Sequence, residues 1–441
     1  MFRKVFQDRK SSVVLIVSIV CVLAFIWSPV LDNEFLTNWD DQWMVTGNPH
    51  LQMNTPAAVQ AMFTESYGGQ YSPVNTLAYL SIVKTAGMEA FGFQFFFFLL
   101  HLVNFLLVGL ILQNILLMIP GVDLKDHQRM AIAWATAFLF AIHPMQVEAV
   151  AWISASKVVL YSFFYLLGFW LYLLYRETGK NHYYWLVFIC FLASLLSKEQ
   201  AVVFVLTLIL VDWTIHPNPD VVRFLIPKKQ WVEKILFFLA GVLFGLITIS
   251  ISVRSGAGGE AYTFGQRLLF ANYSFWEYLV KLTAPYSLSH FYFFPVDPGE
   301  SVPLRFWFYP VATVGFVWIL SESREHLNRV HIFGGLFFLI NIITVLHIIP
   351  IPRESIMADR YIYLSSVGFF MIVVYVLAQL FVEFKGRAKK ITLISVFGVY
   401  LIALAAYSHK RVDVWQNIDT LNASIEPLIE MNMDEVVLPG R

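Results

Sequence analysis

Residues 12–43 read SVVLIVSIVCVLAFIWSPVLDNEFLTNWDDQW. Ser12 to Leu31 carry no charge and form a run of 20 residues, the length that crosses a hydrocarbon core of about 30 Å. The string that follows, Asn38-Trp39-Asp40-Asp41-Gln42-Trp43, is polar, with Asn48-Pro49 close behind. Two adjacent carboxylates therefore stand where membrane meets water. They repel each other, and a low-dielectric rim raises at least one pKa. That is how a general base, or half of a metal site, is built. The plain alternative is a solvated loop. Arg3, Lys4, Arg9 and Lys10 ahead of the run imitate a signal peptide. With no small-residue cleavage site after it, a retained first span is expected.

Composition points the same way. The 441 residues are 58% hydrophobic and 14% charged, with a mean hydropathy of +0.65. Soluble domains carry about 25% charged residues, so a polytopic membrane protein is expected. Aromatics reach 17%, a load that lipid-facing and interfacial positions accept. Zero net charge gives no footprint for nucleic acid. Cys21 and Cys190 both fall in apolar runs and read as small buried hydrophobes.

The fold class expected is an all-α integral membrane protein with about eleven transmembrane helices, near 11–31, 92–118, 130–143, 157–175, 183–197, 200–215, 234–253, 305–320, 331–349, 361–382 and 391–408. The basic loops hold Lys125 and Arg129, Arg176 and Lys180, Arg223 to Lys234, Arg324 and Arg329, and Lys385 to Lys390. With eleven spans these all fall on the side of the N-terminus, the cytoplasm. A long first outer segment, 32–91, then carries amphipathic helices, one starting at Asn54-Thr55-Pro56. A second, 254–304, opens on a Gly-rich loop and continues into a segment that dips into the bilayer or lies along it. The membrane domain is 1–410, and 411–441 a short outer helix and tail.

Ionisable groups gather at the outer ends of these spans. They are His143 and Glu148 in HPMQVE, Lys157, Lys198-Glu199 in a tight turn, and Asp359, Arg360 and Tyr363 in MADRYIY, with Arg353 just ahead. Each has a plain structural role open to it. His143 before Pro144 can cap a helix, Lys198 and Glu199 can neutralise a turn, and Arg360 can snorkel. Together with Asp40 and Asp41 on one face, they make a site for an anionic, lipid-linked substrate. Lys198, Arg353 and Arg360 would hold a phosphate. A carboxylate would deprotonate an incoming hydroxyl.

The ordered set Trp39-Asp40-Asp41…Asn48-Pro49, Tyr71-Ser72-Pro73-Val74, His101-x-x-Asn104, His143-Pro144-x-x-x-Glu148, Lys198-Glu199 and Asp359-Arg360-Tyr361-x-Tyr363 resembles the transmembrane and tetratricopeptide-repeat O-mannosyltransferases and their bacterial relatives, of the GT-C superfamily. The resemblance covers nearly the whole membrane region. It implies a polyprenyl-phosphate sugar donor and a first-loop aspartate as base: Asp40 first, Asp41 second. His143, Glu148, Glu199, Asp359, Tyr363 and Lys157 would act in support. The family's Arg-x-Asp after the His-Pro-Glu element reads Lys157-Val158-Val159 here, which keeps the cation and loses the acid. Its long repeat array is represented by one opening helix, Asn417 to Met431, so acceptor recognition would come from a partner.

The function expected is transfer of a monosaccharide, mannose among the candidates, to a hydroxyl of an exported protein Ser or Thr, with inversion. No cofactor is required; a divalent cation at Asp40 and Asp41 is compatible. A lipid or surface-glycan acceptor, a lipid-linked-sugar flippase and a non-catalytic scaffold are the alternatives. The expected location is the bacterial inner membrane rather than the endoplasmic reticulum, with the site on the extracytoplasmic face.

Overall fold

The computed structural model describes residues 9–52, 55–217, 228–254, 262–348 and 355–425. These residues form helices joined by loops, with no strand among them beyond one isolated bridge, Tyr67 to Gln70. In chain order the helices are α1 (Arg9–Trp27), α2 (Pro49–Gln52), α3 (Pro56–Thr64), α4 (Pro73–Ala86), α5 (Ala90–Met118), α6 (Asp126–Ile142), α7 (Val147–Ala151) and α8 (Lys157–Thr178). There follow α9 (Asn181–Leu195), α10 (Phe204–Ile215), α11 (Lys228–Arg254), α12 (Phe264–Thr283), α13 (Phe308–Glu322), α14 (Arg329–Ile342), α15 (Ser366–Glu383) and α16 (Arg387–Arg411).

All eleven apolar stretches of the sequence are helical, but they differ in reach. Among the described residues six helical stretches are long and apolar enough to cross a membrane, or seven if α6 and Pro144–Ala151, bent by 57°, count as one. The stretches of α1, α9 and α14 are shorter apolar helices, Ile16–Asp32, Asn181–Leu195 and Arg329–Val345, and α6 and α10 fall short for visible reasons. Helix α6 stops at His143-Pro144, where the proline disfavours helical geometry in the residue before it. Helix α10, at 12 residues, extends only about 18 Å. Helix α12 is not among the six; Arg267, Glu277 and Lys281 along it make it amphipathic.

Helices α5 and α8 form the middle of the bundle, their most apolar stretches being 61% and 72% buried, against 6% for α13 and 11% for α16. Leu304, Phe308, Val311, Val314 and Trp318 of the α13 stretch stand exposed, the pattern of a helix whose solvent is lipid. Helices α14 and α15 cross at Gly334 and Gly368. A Cβ on Gly334 would lie 2.7 Å from the Gly368 carbonyl oxygen. Backbone-to-backbone contact of this kind is how small residues lock helices together without a hydrophobic drive. The crossing sits two residues into α15 and so fixes Asp359 to Tyr363 just before it.

Residues 32–91 fold around α2, α3 and α4. Thr55 caps α3 by accepting from the Ala58 N–H at 3.2 Å, with Pro56 at the first helical position.

Candidate active site

Asn38 opens the site with a left-handed backbone, φ 70°, a conformation asparagine tolerates better than most residues. Asp40 and Asp41 follow at the entry to a single wide turn, Gln42–Thr46, and part company. Asp41 is fully buried. Its Oδ2 accepts the Leu36 N–H at 3.0 Å, and its Oδ1 accepts the Ser154 N–H at 2.9 Å and the Ser154 hydroxyl. Burial pushes its carboxyl up to about 6, against the pull of those three donors. Asp40 is half-buried. It accepts only the Trp43 indole N–H, at 2.9 Å on Oδ1, and its other oxygen has no hydrogen bond among the described residues.

The Trp43 ring is in turn held by Gly68, whose φ is +55° and where an added Cβ would run into the ring. Two glycines, Gly68-Gly69, make the turn that lets this indole lie against the backbone.

The cations come from three other elements. Lys157, at the start of α8, donates to Gln70 Oε1 at 2.6 Å. Lys198 is buried and pairs with Glu199 at 3.4 Å. Arg360 lies over the Trp152 ring at 5.2 Å and the Tyr361 ring at 4.8 Å. Lys157 sits within electrostatic reach of Lys198, Glu199, Asp40 and Arg360. Five of the residues singled out in the sequence therefore converge, although they span 320 positions from Asp40 to Arg360.

Glu148 is wholly buried and serves Arg360. It accepts the Arg360 backbone N–H at 2.7 Å and pairs with the guanidinium. Asp359, next in the chain, faces other partners: the Tyr292 hydroxyl at 2.7 Å and Arg411 at 2.8 Å. Burial raises the Asp359 carboxyl and Arg411 opposes it. His143 and Tyr363 lie deeper. His143 Nδ1 accepts the Met145 N–H at 3.3 Å, a cap on the turn that follows α6. Tyr363 bonds His101 at 2.7 Å and receives the Asn104 amide at 3.1 Å, tying the turn before α15 to α5. Arg353 lies outside the described residues. Among the described residues no three His, Cys, Asp or Glu side chains group as metal ligands, and Asp41 has its oxygens engaged already.

Sequence reasoning missed Ser154, Trp43 and Gln70, ordinary polar and aromatic residues with no charge to flag them. It also missed a charged cluster at the other end of α8. Asp212, fully buried on α10, meets Arg176 at 3.2 Å, the Tyr172 hydroxyl at 2.7 Å, and Lys234. An acid inside the apolar run of α10 was the available signal. Between the two clusters α8 is apolar or aromatic except for Ser162, and Tyr165 closes its polar atom on Thr207 at 2.6 Å.

No family model matches the chain. Protein O-mannosyl-transferase TMTC1 of Mus musculus is 30% identical over 149 residues, 32% of this chain and 14% of the relative. Its Homo sapiens counterpart is likewise 30% identical over 149 residues, 15% of its length. Protein O-mannosyl-transferase TMTC4 of Mus musculus is 25% identical over 288 residues, 56% of this chain and 37% of the relative. The chain thus spans well under half the length of each of these relatives, and it is distantly related to the O-mannosyltransferases that they represent.

Proposed function

We propose that this chain is a GT-C-type membrane glycosyltransferase that moves one sugar, mannose first among candidates, from polyprenyl phosphate to a Ser or Thr hydroxyl of an exported protein. The observation that carries the reading is Asp40: a half-buried carboxylate with one free oxygen, within electrostatic reach of Lys157 and Arg360. The names of the relatives support the choice of mannose and of protein acceptor.

The acceptor hydroxyl gives its proton to Asp40 as its oxygen forms a bond to the anomeric carbon. On the opposite side the bond from that carbon to the phosphate oxygen breaks, and polyprenyl phosphate leaves with the electron pair. One displacement inverts the anomeric centre. Lys198, Arg360 and Lys157 offset the phosphate charge. Glu148 holds Arg360 in place, and Asp41 fixes the loop that presents Asp40. The groove for the polyprenyl chain is supplied by the Phe-rich helices.

In this reading eleven helical passes place the N-terminus in the cytoplasm and the Asp40 site on the extracytoplasmic face, in a bacterial inner membrane. The apolar middle of α8 favours a one-sided enzyme over a flippase, which needs polar groups along a path between both faces. The test is transfer in vitro from a panel of polyprenyl-phosphate sugars to a Ser-containing peptide, with wild type and Asp40→Asn. Inverted product from wild type and near-loss in Asp40→Asn supports the reading. Equal turnover in both, or a product of retained configuration, overturns the mechanism.

A further inference from the structure

Behind Asp40 lies a small recess walled by α2, α3, α4 and the turn before them, with Trp43, His50, Glu65, Gln70, Asn75 and Tyr79 in its lining. Two of these bind the site itself. Trp43 donates to Asp40, and Gln70 accepts from Lys157. A group seated here is one indole away from the base. Two others carry polar atoms that nothing meets. Asn75 is 1% exposed and its Oδ1 has no partner; His50 is 8% exposed and its Nδ1 has none. Buried unsatisfied acceptors are costly and rare in folded proteins. An acceptor in this state wants an N–H donor brought from outside.

The space decides what can bring it. The volume is about 30 Å³, room for one or two water-sized groups, which excludes a sugar ring. It admits a single N–H group dipped in from a peptide that lies across its mouth. The exposed Glu65 carboxylate stands at its mouth, where it suits a peptide with a basic or neutral flank.

We infer that this recess is the acceptor subsite and that it takes an extended Ser- or Thr-containing peptide. A peptide N–H donates to Asn75 Oδ1, His50 Nδ1 takes a second polar contact, and the Ser or Thr hydroxyl stays outside the recess, against the open oxygen of Asp40. This rests on the transferase reading above, and the two are separable by experiment.

The full chain in lipid nanodiscs is titrated with a short fluorescent Ser-containing peptide, and transfer is followed with the active polyprenyl-phosphate sugar. Asn75→Leu removes the acceptor. Glu65→Trp, at an exposed position, places bulk at the mouth. Both should weaken peptide binding and raise the peptide KM about tenfold, the worth of one hydrogen bond of roughly 1.4 kcal/mol, while the donor KM stays put. Peptide binding lost in the variants, with no sugar transferred by wild type from any donor, leaves the subsite standing and removes the transferase reading. Sugar transfer with peptide binding and KM equal in wild type and both variants removes the subsite and leaves the transferase. An oligosaccharide that displaces the peptide from this recess overturns the peptide assignment.

Discussion

The Arg360 backbone N–H donates to Glu148 Oε2 at 2.7 Å while the Arg360 guanidinium meets the other oxygen of the same carboxylate, across 212 residues of chain. One buried acid thus fixes both the main chain and the side chain of a cation that stacks on Trp152. Breaking a buried pair by removing one partner costs about 3–5 kcal/mol. Glu148→Ala should therefore lower the melting temperature of the detergent-solubilised protein clearly, and weaken donor binding with it. Arg360→Lys, which keeps the charge and the backbone N–H but loses the planar guanidinium over Trp152 and Tyr361, should fall between wild type and Glu148→Ala. A melting curve for Glu148→Ala that matches wild type removes this pair from the structural account.

Asp40 and Asp41 should respond differently to the same substitution. Asp40→Asn keeps an oxygen for the Trp43 indole and removes basicity, so kcat should drop on the order of 10²–10⁴ with little change in melting. Asp41→Asn loses one of the acceptors that Leu36 and Ser154 share, and should cost stability first. Single-turnover rates beside melting curves for both variants separate the roles. Equal losses in both properties for both variants would contradict them.

The Asp41 carboxyl also gives a pH signature. Its folded pKa is pushed up from 3.8 to about 6, so its contribution is fully present below about pH 4 and is lost as pH rises through about 6. Two units are worth up to about 3 kcal/mol. Wild-type stability measured against Asp41→Asn should decline between pH 4.5 and pH 7. A difference that grows over that range would show the three donors outweighing burial.

Gly68→Ala should act at a distance. The new methyl group meets the Trp43 ring, and Trp43 holds Asp40. The expected result is a loss of kcat of about tenfold or more with the protein still folded, alongside a change in tryptophan fluorescence. Unchanged fluorescence and rate would mean that the ring has other places to go.

Cysteines placed at Lys229 and Glu300, both exposed, should be labelled from opposite faces of sealed vesicles. Labelling of both from one face would overturn the eleven-pass topology.

The sequence carried the architecture in its apolar periodicity and the members of the site in their charges. Helix reach was less legible, because a proline after His143 or a twelve-residue α10 looks like span material until its length is measured. The division between Asp40 and Asp41 could not be seen at all. It depends on Ser154, 113 residues away, and no local pattern announces that partner. Glu148 and Arg360 were both singled out, yet their pairing was not, since charge alone does not say which acid meets which base. Tyr363 stands three residues from Arg360, yet its hydroxyl goes to His101 and Asn104 on α5, partners that no local pattern names. Asp212 stands in the sequence as one acid in an apolar run, and nothing local pairs it with Arg176 and Lys234.

Helix α8 carries Lys157 on its first residue and Arg176 near its last, nineteen positions apart, which at about 1.5 Å each is about 28 Å. Each end is anchored in a polar cluster, so the helix cannot slide along its axis without dragging a charge into hydrocarbon. The protein therefore contains its own gauge of bilayer thickness. That length is close to a hydrocarbon core of about 30 Å. A thicker bilayer must either thin around α8 or tax the fold at both of its ends, so lipid chain length becomes a variable that acts on this site from outside it.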